Sequence, residues 1–172
     1  MRKIGISFVA IALVVSSCNT PKEQKRDMSN PFFSEYKTPF QAPPFNEIKL
    51  EHFMPAIDAG IEEQLAEIKS ITDNKEEATF GNTILAFDQS GELLNKAGIF
   101  SNLNSANTND EMQALAREIT PKLSAHRDNI MLNKELFSRV KAVYEKRNEL
   151  NLDAEQLRLV EKFYQDFERN GA

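Results

Sequence analysis

The chain has 172 residues, with 26 acidic and 21 basic side chains and a formal net charge of −5 at pH 7. This acidic balance argues against a nucleic-acid-binding protein, because phosphate recognition requires clustered Lys and Arg side chains. The single cysteine excludes a disulfide within the chain.

The first predicted element is a secretory signal peptide over residues 1–17. Arg2 and Lys3 precede an apolar run over residues 4–15, and small residues follow it. This is the order of charged, apolar and small residues that signal peptides share. Twelve helical residues span only about 18 Å of a hydrocarbon core about 30 Å thick, so we do not expect a stable transmembrane helix.

The sequence VSSC at positions 15–18 resembles the lipobox of bacterial lipoproteins. The resemblance implies cleavage before Cys18 and attachment of lipid to its sulfur, which would anchor the protein in a membrane of the cell envelope. The alternative is a chance cysteine beside an ordinary cleavage site. The 155 residues from position 18 onward suffice for one domain. Residues 18–29 are polar and are predicted to form a flexible tether.

Residues 30–46 alternate prolines with phenylalanines. Proline opposes helix formation, whereas phenylalanine favours burial. We therefore expect an extended Pro/Phe-rich arm lying across the folded domain. A proline-rich ligand for a recognition domain is the alternative, although no PxxP motif is present.

Residues 47–172 predict an all-α fold of about five helices. The first helix carries an apolar stripe with spacings of four and three, formed by Phe53, Ile57, Ile61, Leu65, Ile68 and Ile71. The second is predicted to begin at Thr79 and to bury Ile84, Phe87, Leu94 and Leu103. Gly91 and Gly98 either weaken this second helix or permit a close neighbour.

Capping motifs predict where the remaining helices begin. A capping box at 108–111 starts the third helix, which Pro121 is expected to kink or divide. Asn133 starts the fourth helix. Asp153 and Gln156 start the last one, and Asn170–Gly171 ends it. The sequence shows no alternating strand pattern of useful length and no internal repeat.

Few residues in this chain suggest chemistry. The only histidines, His52 and His126, do not form the HxxxH spacing with which a helix holds zinc, so a metal role is disfavoured. The clustered carboxylates favour a solvated face over an acid–base pair; they are Glu62, Glu63, Glu67, Glu76 and Glu77. We predict no catalytic, cofactor-binding or metal-binding residue, and Cys18 is the one predicted modification site.

Four blocks of sequence resemble the thimet oligopeptidase and peptidyl-dipeptidase Dcp family. They are PPFNEIKLEHFMPAIDAGIEEQLAEI at 43–68, TFGNTILAFDQSGELLNKA at 79–97, REITPKLSAHRDNIMLNKELFSRV at 117–140 and LDAEQLRLVEKFYQDFERNGA at 152–172. The blocks follow one another in family order, from about residue 30 to the last residue. Gly81 is a departure, because relatives often carry Glu at this position.

The resemblance implies a zinc metallopeptidase that cuts oligopeptides, with peptidyl-dipeptidase activity expected and oligopeptidase activity as the nearest variant. It also implies a mostly helical ellipsoid with a deep channel and a zinc site at its floor. The implied ligands, an HExxH motif and a further Glu, lie in the C-terminal part of a longer chain and do not occur here. We therefore expect an N-terminal helical region, truncated and inactive by itself. The alternative is a stand-alone, lipid-anchored helical module that binds peptides or a partner protein.

Overall fold

The computed structural model describes residues 26–171, and all the regular structure in this range is helical. The α-helices are α1 (Phe53–Asp73), α2 (Ala86–Asp88), α3 (Glu92–Ala97), α4 (Ile99–Ala106), α5 (Asp110–Met131), α6 (Lys134–Glu145) and α7 (Ala154–Arg169). A π-helical segment, Phe80–Leu85, runs directly into α2. The all-α prediction is confirmed. None of these helices is both long and apolar enough to cross a bilayer. The predicted signal peptide and Cys18 lie outside the described residues.

Side-chain caps start α6 and α7 where the sequence predicts them. The Asn133 carboxamide oxygen accepts the amide hydrogens of the first turn of α6, and Asp153 forms a reciprocal capping box with Gln156 at α7. The start of α5 differs from the prediction. Asn109, rather than Thr108, is the N-cap, because its side chain accepts the Met112 amide hydrogen at 2.8 Å.

The second predicted helix is divided into several segments. The π-helical segment and α2 end before Ser90, and α3 starts after Gly91, whose φ of 76° lies in the left-handed region. A continuous α-helix cannot accommodate that conformation, and glycine adopts it without steric cost. Counting α2, α3 and α4 as one interrupted element, the described residues contain the five predicted helical regions in the predicted order.

Pro121 does not divide α5, which continues from Asp110 to Met131. Proline removes one helical hydrogen bond, and the carbonyl that loses its partner belongs to Arg117. Both residues are exposed, so water can hydrogen-bond to this carbonyl. Pro121 therefore does not divide the helix, because water can reach the carbonyl that it leaves unpaired. The other expected outcome, a kink at Pro121, stays a prediction.

The Pro/Phe-rich arm contains no α-helix, but it is not continuously extended. Pro31–Phe33 forms a 3₁₀ turn, and Pro39–Gln41 forms a turn in which Phe40 has a positive φ of 58°. Phe32 is buried and its ring packs 5.1 Å from that of Phe53, whereas Phe40 and Phe45 are exposed. The expected burial of the arm's phenylalanines is therefore correct for Phe32 and wrong for these two.

Helix α1 connects two separate apolar clusters. Its first half contributes to a cluster made by Phe32, Phe53, Ala56, Ile57, Leu93, Ala97, Phe100 and Ile119. Its second half contributes to a cluster made by Ile68, Ile71, Ile84, Phe87, Ile130, Leu136, Val140, Val143, Val160 and Phe167. Helix α5 also joins both clusters, through Ile119 and Ile130. The described part of the fold therefore has two apolar centres, with α1 and α5 extending across both.

Gly60 allows α3 to lie directly against α1. A Cβ atom at this position would lie 2.8 Å from the Leu94 backbone nitrogen and 2.9 Å from its Cα. Backbone atoms cannot move aside as a flexible side chain can. The contact between the two helices therefore requires glycine at position 60.

We predict that Gly60→Ala destabilises the protein by about 1–3 kcal/mol, because the added methyl group forces α3 away from α1. The measurement is urea denaturation followed by circular dichroism. Gly81→Ala is the matched control, since the nearest atom to its added Cβ is 4.0 Å away. The control should leave the free energy of unfolding unchanged or raise it by up to about 1 kcal/mol. Equal stability of Gly60→Ala and the wild type would contradict the close contact.

Candidate functional site

Three polar side chains form a connected network between the two apolar clusters. His126 Nε2 lies 2.7 Å from the Gln64 carboxamide oxygen, and Gln64 Nε2 donates to Ser90 Oγ at 3.1 Å. Ser90 Oγ donates in turn to the Phe87 carbonyl at 2.8 Å. Because the Gln64 oxygen can only accept, His126 Nε2 carries the proton. The network joins α5, α1 and the break between α2 and α3.

The helix break is fitted closely to α1. Glu67 Oε2 accepts the Gly91 amide hydrogen at 2.7 Å. A Cβ atom on Gly91 would lie 2.6 Å from the Gln64 carboxamide. Both the positive φ and the lack of a side chain at Gly91 are therefore required where the chain passes α1. The sequence predicted a special role for Gly91, but no sequence pattern predicted that Gln64, Glu67 and Ser90 lie close to it.

The arrangement does not provide a nucleophile with its base. An activated serine needs a base within hydrogen-bonding distance of its hydroxyl group. His126 bonds to Gln64 instead, and the Ser90 hydroxyl proton is directed to the Phe87 carbonyl. The network is consequently a structural one, which pairs Ser90 Oγ and His126 Nε2 where three elements meet.

Burial lowers the pKa of His126 below its ordinary value. The residue is 5% exposed, and its Nδ1 atom is buried without a hydrogen-bond partner among residues 26–171. A proton on Nδ1 would place a positive charge where nothing accepts its hydrogen bond. The neutral imidazole is therefore the form that this site stabilises.

The two histidines are not brought together. His52 Nδ1 accepts the Lys49 amide hydrogen at 3.0 Å, and the His52 carbonyl accepts from the Asn30 side chain at 2.9 Å. Gln64, which contacts His126, lies twelve residues after His52, or about 18 Å along a helix. No group of three His, Cys, Asp or Glu side chains in the described range has the geometry to hold a metal ion.

The clustered carboxylates occupy unconnected positions on the surface. Glu62, Glu67, Glu76 and Glu77 are exposed, as the solvated-face interpretation predicts, and Glu63 is half-buried. Glu63 forms an ion pair with Arg26, and Glu77 forms one with Lys146. The lowered pKa of Glu77 has its cause in the hydrogen bond from Lys146. These contacts have structural roles and do not create two carboxylates in contrasting environments.

The TFGNT block acts as a connector between elements. The Asn82 carboxamide oxygen accepts the Thr79 amide hydrogen at 2.8 Å and a hydrogen bond from Arg139 Nη2 at 3.1 Å. Arg139 Nη1 donates to the carbonyls of Asn74 and Glu76 at 2.9 and 3.1 Å. One guanidinium group thus ties α6 to the loop that follows α1. The motif therefore serves folding in this part of the chain.

An open, mainly apolar groove lies where the start of α1 faces α5. Its volume is about 530 Å³, and it is lined by Lys49, Leu50, Glu51, Met54 and Leu115. The groove has space for apolar side chains, but it presents no set of polar groups aimed at one point. Its chemistry is therefore that of a packing or docking surface.

No family model matches the sequence. The chain is 43% identical over 144 residues to the dipeptidyl carboxypeptidase of Escherichia coli strain K12, and 41% identical over 145 residues to that of Salmonella typhimurium. It is 27% identical over 145 residues to oligopeptidase A of Haemophilus influenzae. Over most of its length the chain is therefore similar to members of the peptidyl-dipeptidase and oligopeptidase family.

The matched region covers most of this chain but a small part of its relatives. It spans 83% of the chain and 21% of the E. coli dipeptidyl carboxypeptidase, and it spans 84% and 21% for the other two relatives. The likeness to this peptidase family therefore confirms the resemblance of the four sequence blocks.

We predict that stability falls as the pH drops from about 7.5 to 5.5, and that His126 supplies part of this dependence. In the unfolded protein the pKa of a histidine side chain is near 6.5. In the folded protein, burial lowers the pKa of His126 below this value. The unfolded state therefore binds the proton first, and the free energy of unfolding decreases until the pH falls below the folded pKa. Urea denaturation across this pH range measures the effect.

His126→Leu should show a smaller loss of stability over the same pH range, because its side chain cannot bind a proton. His52→Gln serves as the matched control and should keep the loss that His126 causes. If His126→Leu and the wild type lost equal stability, the contribution of His126 would be ruled out.

Proposed function

We propose that this chain is the N-terminal segment of a zinc-dependent peptidyl-dipeptidase that removes dipeptides from the C-terminus of short peptides. The observation that carries the proposal is the identity of 43% and 41% to two dipeptidyl carboxypeptidases, against 27% to an oligopeptidase. Dipeptidyl carboxypeptidases and oligopeptidases both hydrolyse peptides. The higher identities to the dipeptidyl carboxypeptidases favour the activity that releases dipeptides. Oligopeptides are accordingly the proposed substrates.

We assign no catalytic step to residues 26–171. They offer no group of three zinc ligands, and Ser90 and His126 do not form a nucleophile–base pair. In the proposal, zinc is bound by the HExxH motif and further Glu that the family resemblance implies outside these 172 residues. The helical body described here would form part of the wall of the substrate channel.

The native protein, purified in detergent from its source cells, provides the test of this activity. We expect its intact mass to exceed that of residues 18–172 plus lipid several-fold. We also expect it to release dipeptides in sequence from an N-terminally blocked oligopeptide, to lose this activity with a chelator and to regain it with zinc. An amidated C-terminus should slow cleavage strongly, whereas an endo-acting oligopeptidase would tolerate it.

The 172-residue chain alone should show no zinc-dependent cleavage of the same peptides. Zinc-dependent turnover by a clean sample of this chain would contradict the assignment of catalysis to another part. A native mass equal to residues 18–172 plus lipid would contradict the peptidase proposal. That mass would favour the lipid-anchored binding module instead.

We also propose that lipid on Cys18 anchors the protein in the cell envelope. The support is the sequence order of positive, apolar and small residues that ends in VSSC at positions 15–18. The first described residue with a long-range contact is Arg26, which forms an ion pair with Glu63. It lies eight positions after Cys18, and an extended tether of this length reaches at most about 30 Å. The helical body would therefore remain near the membrane surface.

Cys18→Ala should move the protein from the detergent-rich to the aqueous phase in a detergent partition experiment. It should also remove the lipid mass from the N-terminal peptide. Ser16→Ala is the matched control and should retain both the lipid and the partition, because it leaves the modified sulfur in place. Unchanged partition and mass for Cys18→Ala would refute the anchor.

A further inference from the structure

The Phe40 side chain is fully exposed on a strained backbone. Its φ is 58° and that of the next residue, Gln41, is 54°. Side chains with a Cβ atom seldom adopt the left-handed region, and an aromatic ring gains nothing from contact with water. Both local preferences therefore oppose the observed conformation of Phe40. Strained residues of this kind are concentrated at sites of binding and function.

The loop around Phe40 holds this conformation through its own hydrogen bonds. The Gln41 amide donates to the Thr38 carbonyl at 3.0 Å, and the Ala42 amide donates to the Pro39 carbonyl at 3.2 Å. Thr38 Oγ1 also donates to the Ala42 carbonyl. The backbone of the loop is therefore held in one conformation, which reduces the backbone entropy that a partner must remove on binding.

A second aromatic residue, Phe45, is 56% exposed a few residues further along the loop. The buried Pro44 follows the loop, and its carbonyl accepts from the amides of Glu47 and Ile48. This turn leads directly to Lys49, the first residue of the apolar groove. We call the exposed rings and the apolar groove side chains the Phe40 surface; it consists of Phe40, Phe45, Leu50, Met54 and Leu115.

The charges along this segment disfavour an anionic bilayer as the partner. Residues 35–51 contain two lysines, Lys37 and Lys49, and three glutamates, Glu35, Glu47 and Glu51. Attraction to anionic lipid requires an excess of basic side chains. Exposed aromatic rings and an open apolar groove are instead features typical of protein–protein contacts.

We propose that the Phe40 surface docks against the part of the same polypeptide that follows residue 172. This inference rests on the proposed function, in which the chain belongs to a longer peptidase. The matched segment is only 21% of the E. coli relative, so in that protein a much larger body is attached to it. Attachment in one polypeptide makes docking intramolecular and strongly favours it over association with a separate molecule.

The test compares Phe40→Asn in two contexts, the 172-residue chain and the full native polypeptide. In the 172-residue chain the substitution should leave the Tm unchanged or raise it, because no contact is lost and Asn tolerates a positive φ. In the native polypeptide it should lower the Tm by at least about 2 °C, because a buried ring is removed. Phe32→Asn is the control from the same arm. Phe32 is buried in the described body, so this change should lower the Tm of both the 172-residue chain and the native polypeptide.

Maleimide labelling gives a second measurement that does not depend on stability. In a Phe40→Cys variant, modification of position 40 is followed by peptide mapping. We expect the rate in the native polypeptide to be at least about tenfold slower than in the 172-residue chain. Ser34→Cys is a control at an exposed position of the same arm, outside the proposed surface.

The two proposals fail in different ways. Equal labelling rates and equal changes in Tm in the two contexts, with a native mass several times that of this chain, would overturn the docking alone. A native mass matching residues 18–172 plus lipid would overturn the proposed function and the docking together.

Discussion

The close contact between α1 and the chain around Gly91 determines how the rest of the described structure is arranged. Gly60 admits the backbone of α3, Gln64 occupies the space beside Gly91, and Glu67 accepts its amide hydrogen. These three residues follow one another at spacings of four and three and so share one face of α1. The same face bonds to α5 through His126. Polar groups at this point separate two apolar clusters while fixing the helices that cross both.

This arrangement gives a rigid helical body without visible catalytic chemistry, which suits the proposed position in a longer peptidase. Buried polar groups are costly when unpaired, so a connected network restricts the packing of its helices to one geometry. Arg139 has a comparable role at the other end of α1, where it holds the following loop to α6. The contacts of Asn82 in the TFGNT block are therefore explained by folding.

Much of the fold could be predicted from local sequence patterns. The apolar stripe of α1, the caps at Asn133 and Asp153 and the absence of strand patterns each depend on neighbouring residues alone. The Gln64–Ser90–His126 network could not be predicted, because its members are separated by 26 and 36 positions and share no motif. For a related reason the sequence could not decide whether Pro121 divides its helix. Whether a proline divides a helix depends on whether water can reach the carbonyl it leaves unpaired, and exposure is a tertiary property.

The sequence by itself determined the helical class, most helix starts, the likeness to a peptidase family and the lack of its zinc motif. These follow from periodicity, capping chemistry and the presence or absence of short motifs. Only the tertiary structure decided that Gly91 breaks a helix, that Phe32 is buried and that Phe40 faces solvent. Both phenylalanines follow a proline in the same arm, so their local sequences are alike. Their environments differ because Phe32 meets Phe53 of α1, whereas the described residues provide no such cover for Phe40.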